Sequence, residues 1–407
     1  MPLYDLSDFF SLSRALNYNL SCTTSARHYV LKYVTDMKPL DPLDKRVVMR
    51  ALEFLINSYK GKTRKLGPPA VLHPLRASAL FCRAVRSIEI LDLVTEMFHD
   101  LFEDIYPFQV EDESWCALIR QDFIASLWPP SDPGGGEVFD RLMHLTRRDN
   151  ESYYEYIGRI LDSPGENAAV VRVKLADRLD NTLDMRIDLD DPRERGDFFQ
   201  EVFSTLFVKA ARKNPWEEDH PPSAPLNGAW RLYELFKNAV LLSLIRQKGF
   251  VIAGQGFDVL FHAVAVASWN EAKRIYLHIW AYHQKLLGDP RKLLTEAMEY
   301  CYTDRINMVT RPDKLYRLDG LFSTYFDPPR RETHPPPKTR EEMEEVRKAQ
   351  TANRQQKLNN LYKDKNLMVE AAVAFVVIFQ NFLQDPDYYI QGISEHGIAP
   401  AEPEREA

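Results

Sequence analysis

Between residues 41 and 190 the apolar positions recur three and four apart, and no stretch of any length alternates apolar with polar. Val47, Ala51, Phe54 and Leu55 keep this spacing after a helix start at Asp41-Pro42, and Leu75, Ala79, Leu80 and Ala84 keep it after His73-Pro74. Val170, Val173, Leu175, Ala176 and Leu179 keep it in a run predicted as a long helix over 167–186. A 3.6-residue period gathers such positions on one stripe that can be buried, whereas a half-buried strand needs a period of two. The expected fold is therefore all-α, a helical bundle with an additional helical C-terminal region.

At 407 residues the chain is longer than one hydrophobic core usually serves, so more than one unit is expected. The reading divides it into an N-terminal arm at 1–40, a helical domain at 41–212, a second helical region at 228–325 and C-terminal helices at 339–396 with an acidic tail. The proline-rich, acidic stretch 213–227 and the break at 326–338 with three consecutive prolines supply the boundaries. The polar run 341–365 reads as an exposed helix. The apolar run 368–379 is too short to span a bilayer and contains Glu370, so it reads as a core or partner-facing helix.

Net charge is −7, which offers no global field for nucleic acid or an anionic membrane surface; neither is expected as a partner. Cys22, Cys82, Cys116 and Cys301 are scattered with no C-x-x-C pair, which fits reduced thiols better than a disulfide frame or a thiolate zinc site. The start MPLYDLSDFF has neither a basic n-region nor an apolar h-region, and the expected location is cytoplasmic.

The densest chemistry lies at 94–104, VTEMFHDLFED. An apolar face of Leu91, Val94, Met97, Phe98 and Leu101 is interrupted by four acids and a histidine. On a helix His99 would neighbour Glu103 and Asp100 would neighbour Asp104, each four residues on. Carboxylates and an imidazole crowded beside an apolar stripe are costly unless a cation or water compensates. Two readings are open for these residues alone, a metal site or an exposed acidic helix end. Two further residues could join His99-Asp100: His73, just after the Gly67-Pro68-Pro69 break, and Asp177, in a charged ladder on an apolar helix. Singly, His73 reads as a cap and Asp177 as a salt-bridge partner of Lys174 or Arg178.

Taken in order, His73, His99-Asp100 and Asp177 form an H…HD…D pattern that resembles the HD phosphohydrolase superfamily. Arg64-Lys65, Gly67-x-Pro69, His73-Pro74-Leu75, His99-Asp100-x-x-Glu103-Asp104 and the 173–181 run VKLADRLDN together resemble the hydrolase domain of RelA/SpoT-type alarmone enzymes. This resemblance covers about residues 41–190. It implies that His73, His99, Asp100 and Asp177 bind one divalent ion, Mn²⁺ in that family. It implies that Glu103 and Asp104 position and activate the attacking water. It also implies that Arg64 and Lys65 lie near the nucleotide and that Asn181 lines the pocket, with Lys174 a further candidate for substrate binding. The implied reaction releases the 3′-pyrophosphate of (p)ppGpp, a guanine nucleotide, to give GDP or GTP.

The sequence departs from the family pattern in three places. Ala70 stands where an aromatic is frequent, the interval from Asp100 to Asp177 is stretched by the WPPSDPGGG segment, and no synthetase motif follows residue 190. Two alternatives therefore stand beside the first reading. One is an HD nucleotidase or 3′-phosphatase acting on another nucleotide. The other is a non-catalytic module whose C-terminal helices engage a partner or form a homo-oligomer. His262, His278 and His283, in an aromatic-rich stretch, read as structural.

Overall fold

Several helices begin where a side chain can satisfy the first orphaned backbone N–H groups. Asp5, Asp41, Asn227 and Asp364 each accept from a backbone N–H two or three residues on. Ser152 and Glu155 close a reciprocal capping box. These helices are seen in a computed structural model that describes residues 2–22, 27–64, 68–106, 113–128, 133–148, 151–162, 164–185, 227–249, 256–302, 321–326 and 340–398.

In chain order the helices are α1 (Leu6–Ser21), α2 (Arg27–Val34), α3 (Pro42–Ser58), α4 (Leu72–Ala84), α5 (Ile90–Phe98), α6 (Leu101–Asp104), α7 (Glu113–Leu127) and α8 (Gly134–Leu145). They continue as α9 (Tyr153–Leu161), α10 (Pro164–Asp184), α11 (Gly228–Gln247), α12 (Phe257–Tyr282), α13 (Pro290–Tyr302), α14 (Arg340–Lys363) and α15 (Lys365–Gln384). Among the described residues the only sheet is a two-stranded antiparallel hairpin, β1 (Ile393–Ser394) with β2 (Gly397–Ile398). The fold is all-α, as the periodicity requires.

Helix α4 is the axis of the fold, buried on every side from Leu72 to Cys82. Helices α1 and α2 cover one flank of it, and α5 and α10 pack on the others. The arm at 1–40 is thus part of the body: Phe9 and Leu16 are fully buried, and the Arg76 guanidinium lies 5.1 Å from the centre of the Phe9 ring. Lys38 donates to the Cys82 and Val85 carbonyls and so closes the negative end of α4. Helix α12 packs on α10 and on α15, and one continuous hydrophobic cluster runs from Phe9 to Ile393. Helix α15 is the one described helix long and apolar enough to cross a membrane, and most of it is packed inside the molecule. The breaks expected at 213–227 and 326–338 fall almost wholly outside the described residues, as do most of the acidic tail and Lys65.

Three local expectations need correction. The helix expected through the HD segment is broken: α5 stops at Phe98 and α6 begins at Leu101. The His99 N–H and its ring Nδ1 both turn to the Glu96 carbonyl, at 3.4 and 2.7 Å, and this competition ends the helical ladder. WPPSDPGGG reads as a turn-rich loop, but its three glycines belong to the first turn of α8, where a Cβ at Gly135 would meet Ile124 Cγ2 of α7 at 2.8 Å. The apolar spacing over 257–287 is helical throughout, but the helix ends at Tyr282, and a 3₁₀ turn at Gln284–Leu286 follows.

Candidate metal centre

Four elements converge at the N-terminal end of α4. His73 lies in the first turn of that helix, His99 and Asp100 form the break between α5 and α6, and Asp177 lies on α10. The break matters: a straight helix would carry His99 and Asp100 about 100° apart around its axis, whereas the turn brings both to one point. One ligand atom from each of His73, His99, Asp100 and Asp177 lies within 4.8 Å of all the others.

The second nitrogen of each imidazole fixes what this point contains. His73 Nδ1 is 2.6 Å from Asp180 Oδ2, and a carboxylate can only accept, so Nδ1 carries the proton. His99 Nδ1 is 2.7 Å from the Glu96 carbonyl oxygen, and the same reasoning places its proton there. With Nδ1 protonated, each ring in its neutral form directs an Nε2 lone pair inward, and the two Nε2 atoms are 3.1 Å apart. Asp100 Oδ2 lies 3.1 Å from His73 Nε2 and 3.4 Å from His99 Nε2. Asp177 Oδ1 lies 3.3 and 3.6 Å from the same atoms.

Four electron-rich atoms at this spacing repel unless a cation or protons sit among them. Bonds of about 2.1 Å at right angles put neighbouring ligand atoms about 3 Å apart, so the donor set fits an ion with imidazole and carboxylate ligands. Asp100, with a quarter of its side chain exposed, is the ligand that opens to solvent; the other three are sealed.

The titration behaviour reflects the same crowding. Burial would lower both imidazoles, but the carboxylates outweigh it, holding His73 at about 10 and His99 well above its ordinary value. Asp177 and Asp100 lie well below the usual carboxylate range despite burial, the first chiefly through Lys174 and the second chiefly through His99. In the absence of a cation the pocket therefore holds protons, which a metal must displace.

Glu103 and Asp104 stand on the exposed rim one turn beyond Asp100. Glu103 Oε1 accepts from the Arg147 backbone N–H at 2.9 Å, and Asp104 Oδ2 accepts from the Tyr59 hydroxyl at 3.1 Å. Crowding by protein, then the Asp100 charge, raises both carboxyls. Arg64 donates to Asn181 Oδ1 at 3.0 Å and pairs with Asp184 at 2.5 Å. Asn181 in turn donates to Asp177 Oδ1 at 2.5 Å. Lys174 is 2.7 Å from Asp177 Oδ2, so it holds the carboxylate that faces the centre.

Sequence reasoning passed over the residues behind the centre. Asp180, fully buried, binds His73 and receives two hydrogen bonds from the equally buried Arg76. Arg76 also pairs with Asp184 at 2.8 Å. The signal was present as a matched spacing: Arg76 is one turn after His73, and Asp180 is one turn after Asp177, so two facing helices repeat the same register. Glu96 also lay unread. It is fully buried behind His99, its carboxylate oxygens lack hydrogen-bond partners among the described residues, and burial pushes it up to about 8. A separate open cleft of about 740 Å³, lined by Tyr4, Asp8, Asp36, Arg83, Asp258 and His262 among others, lies at the far end of α4. Ten residues of helix separate His73 from Arg83, about 15 Å.

No model of a known protein family matches the chain, and no curated protein is detectably similar to it.

Proposed function

We propose that the chain is a metal-dependent phosphohydrolase of HD type, removing the 3′-pyrophosphate of (p)ppGpp to leave GDP or GTP. The observation that carries this reading is the convergence of four lone-pair donors with two rim carboxylates on the following turn. His73, His99, Asp100 and Asp177 would hold the ion, Mn²⁺ by the resemblance. When bound, such an ion supplies Lewis-acid activation of water and offsets phosphate charge.

The chain's own residues divide the remaining work. Glu103, with one oxygen held by the Arg147 N–H and its pKa raised, accepts the proton of the attacking water. Asp104, anchored by Tyr59 and by the Lys62 ammonium on its carbonyl at 2.8 Å, orients that water. The water oxygen bonds to the phosphorus on the ribose 3′ oxygen, that P–O bond breaks, and the 3′ oxygen leaves with a proton. Arg64 supplies a cation near the phosphate, Lys174 keeps Asp177 ionised, and Asn181 ties the Arg64 loop to a metal ligand.

A second reading, a nucleotidase or 3′-phosphatase of the same type, uses the same metal centre on another nucleotide. Arg64 is already engaged by Asp184 and Asn181, so the nucleotide must compete for it. A nucleotide panel with Mn²⁺, read for pyrophosphate against phosphate, decides between the two. Pyrophosphate from ppGpp, lost in Asp100→Ala, is the expected result. Phosphate from another nucleotide transfers the assignment to the second reading, and turnover of nothing in the panel with metal bound refutes both.

A further inference from the structure

Beyond Lys174 the rim continues into a group of cations contributed largely by the C-terminal half. Arg178, next to the ligand Asp177, donates to Asn238 Oδ1 of α11 at 2.7 Å and pairs with Glu234 at 2.8 Å. Lys237, one turn further along α11, lies 2.6 Å from the other oxygen of the same Glu234. Two cations lie over the Tyr233 ring: Lys237 Nζ is 5.1 Å from its centre and the Arg354 guanidinium of α14 is 5.3 Å from it.

The charges do not balance. Lys174, Arg178, Lys237 and Arg354 outnumber the carboxylates among them, Asp177 and Glu103 beside Lys174 and Glu234 between Arg178 and Lys237. The chain as a whole carries −7, so this concentration of positive charge runs against its composition. Lys174 and Lys237 are only 13% and 20% exposed, which removes much of the water that would otherwise screen them. Burial, eased by Glu234 but aggravated by Arg178 and Lys174, lowers Lys237 to about 8.

A second, independent observation lies in the same recess. The Tyr153 hydroxyl, on a side chain 92% buried by its 8% exposure, has no hydrogen-bond partner among the described residues. It lies within electrostatic reach of Arg178, Lys174 and Asp177. A buried hydroxyl left unsatisfied beside surplus cations is a donor without its acceptor.

We propose that Lys237, Arg354, Lys174 and the Tyr153 hydroxyl form a second phosphate subsite, so that the substrate carries an anionic group distant from the one attacked. This rests on the reading of the metal centre as a phosphohydrolase site and assigns the C-terminal half a part in substrate selection. Helices α11 and α14 then complete a site whose reactive end is built by α4–α6 and α10. Nucleotides phosphorylated at both ends are the matching class; those phosphorylated only at the scissile position leave the subsite empty.

Two measurements test it. The first is calorimetric binding of inorganic pyrophosphate to the metal-free full chain, for the wild type, Lys237→Met, Arg354→Met and the control Lys348→Met. Lys348 lies on α14 with 73% of its side chain exposed. Lys237→Met and Arg354→Met should each weaken binding roughly tenfold or more, the scale of one hydrogen bond to a charged group. Lys348→Met should not change it, and Lys237→Arg should restore most of what Lys237→Met loses. The second is steady-state hydrolysis with Mn²⁺. Lys237→Met should raise KM for a nucleoside 3′,5′-bis(diphosphate) with kcat unchanged, and leave a nucleoside 3′-diphosphate without 5′ phosphates unaffected. A wild type that binds pyrophosphate but hydrolyses neither nucleotide refutes the phosphohydrolase reading and spares the anion site. Pyrophosphate binding equal in Lys237→Met, Arg354→Met and wild type overturns the subsite, whatever the hydrolysis shows.

Discussion

Asp180→Asn should damage the metal centre and the fold together, by amounts set by two different contacts. The carboxylate is completely buried and accepts three hydrogen bonds, from His73 Nδ1 at 2.6 Å and from Arg76 at 2.8 and 3.1 Å. Asparagine keeps the shape but loses the charge, and its NH₂ group must face one of these donors. Breaking a buried ion pair from one side costs about 3–5 kcal/mol. Arg76 keeps Asp184, so the lower end, about 3 kcal/mol, applies. Linkage gives a consistent figure. Burial would raise Asp180, but Arg76 and His73 outweigh it and hold it at about 2 against an ordinary 3.8. At 1.36 kcal/mol per unit this is about 2 kcal/mol. Because the folded-state value is depressed, that stability is fully present above about pH 4 and is lost as pH falls toward 2. The effect on metal comes through His73: without an anionic acceptor on Nδ1 the ring is less basic and less fixed, and Mn²⁺ affinity should fall about 10- to 100-fold. Urea unfolding at pH 7 and pH 3, with Mn²⁺ titration calorimetry, reads both effects. A folded variant that binds Mn²⁺ as tightly as the wild type would falsify the positioning role; unchanged stability at pH 7 would show that Arg76 does not depend on Asp180.

Three further outcomes are expected. Glu103→Gln should retain Mn²⁺ while slowing hydrolysis about 10²- to 10⁴-fold, and a near wild-type rate would remove Glu103 from the chemistry. Metal and protons compete for the inward Nε2 atoms, so with His73 raised to about 10 the Mn²⁺ affinity should climb as pH rises from 6 to 9. Calorimetry in buffers of different ionisation enthalpy should register released protons, and a flat, proton-neutral profile contradicts the arrangement. Gly256→Ala should destabilise the chain by more than about 1 kcal/mol: φ is +82° there, and a Cβ would meet the Ala84 carbonyl oxygen at 2.6 Å. Urea midpoints measure this, and an unshifted midpoint would mean that α12 can back away from α4.

The sequence by itself determined most of the helices beyond residue 40 and most of their starts; α1 and α2, in the stretch read only as an arm, were not among them. Caps and apolar spacing are local, so Asp41-Pro42 and the 167–179 run could be read without neighbours. It also singled out His99 and Asp100, because imidazole and carboxylate are costly on an apolar face wherever that face packs, while His73 and Asp177, which singly read as a cap and a salt-bridge partner, were added by the ordered H…HD…D resemblance. Tertiary structure decided what local signals do not encode. The helix break at His99 depends on the Glu96 carbonyl accepting the ring, which periodicity does not register. The pairing of Asp180 with Arg76 spans two helices separated by about a hundred residues, and only their packing shows that each charge has its answer. The same holds for Lys237 and Arg354. In sequence one is a lysine in a largely apolar helix and the other an arginine in a polar one, and it is the packing of α14 on α11 that brings both to the Tyr233 ring.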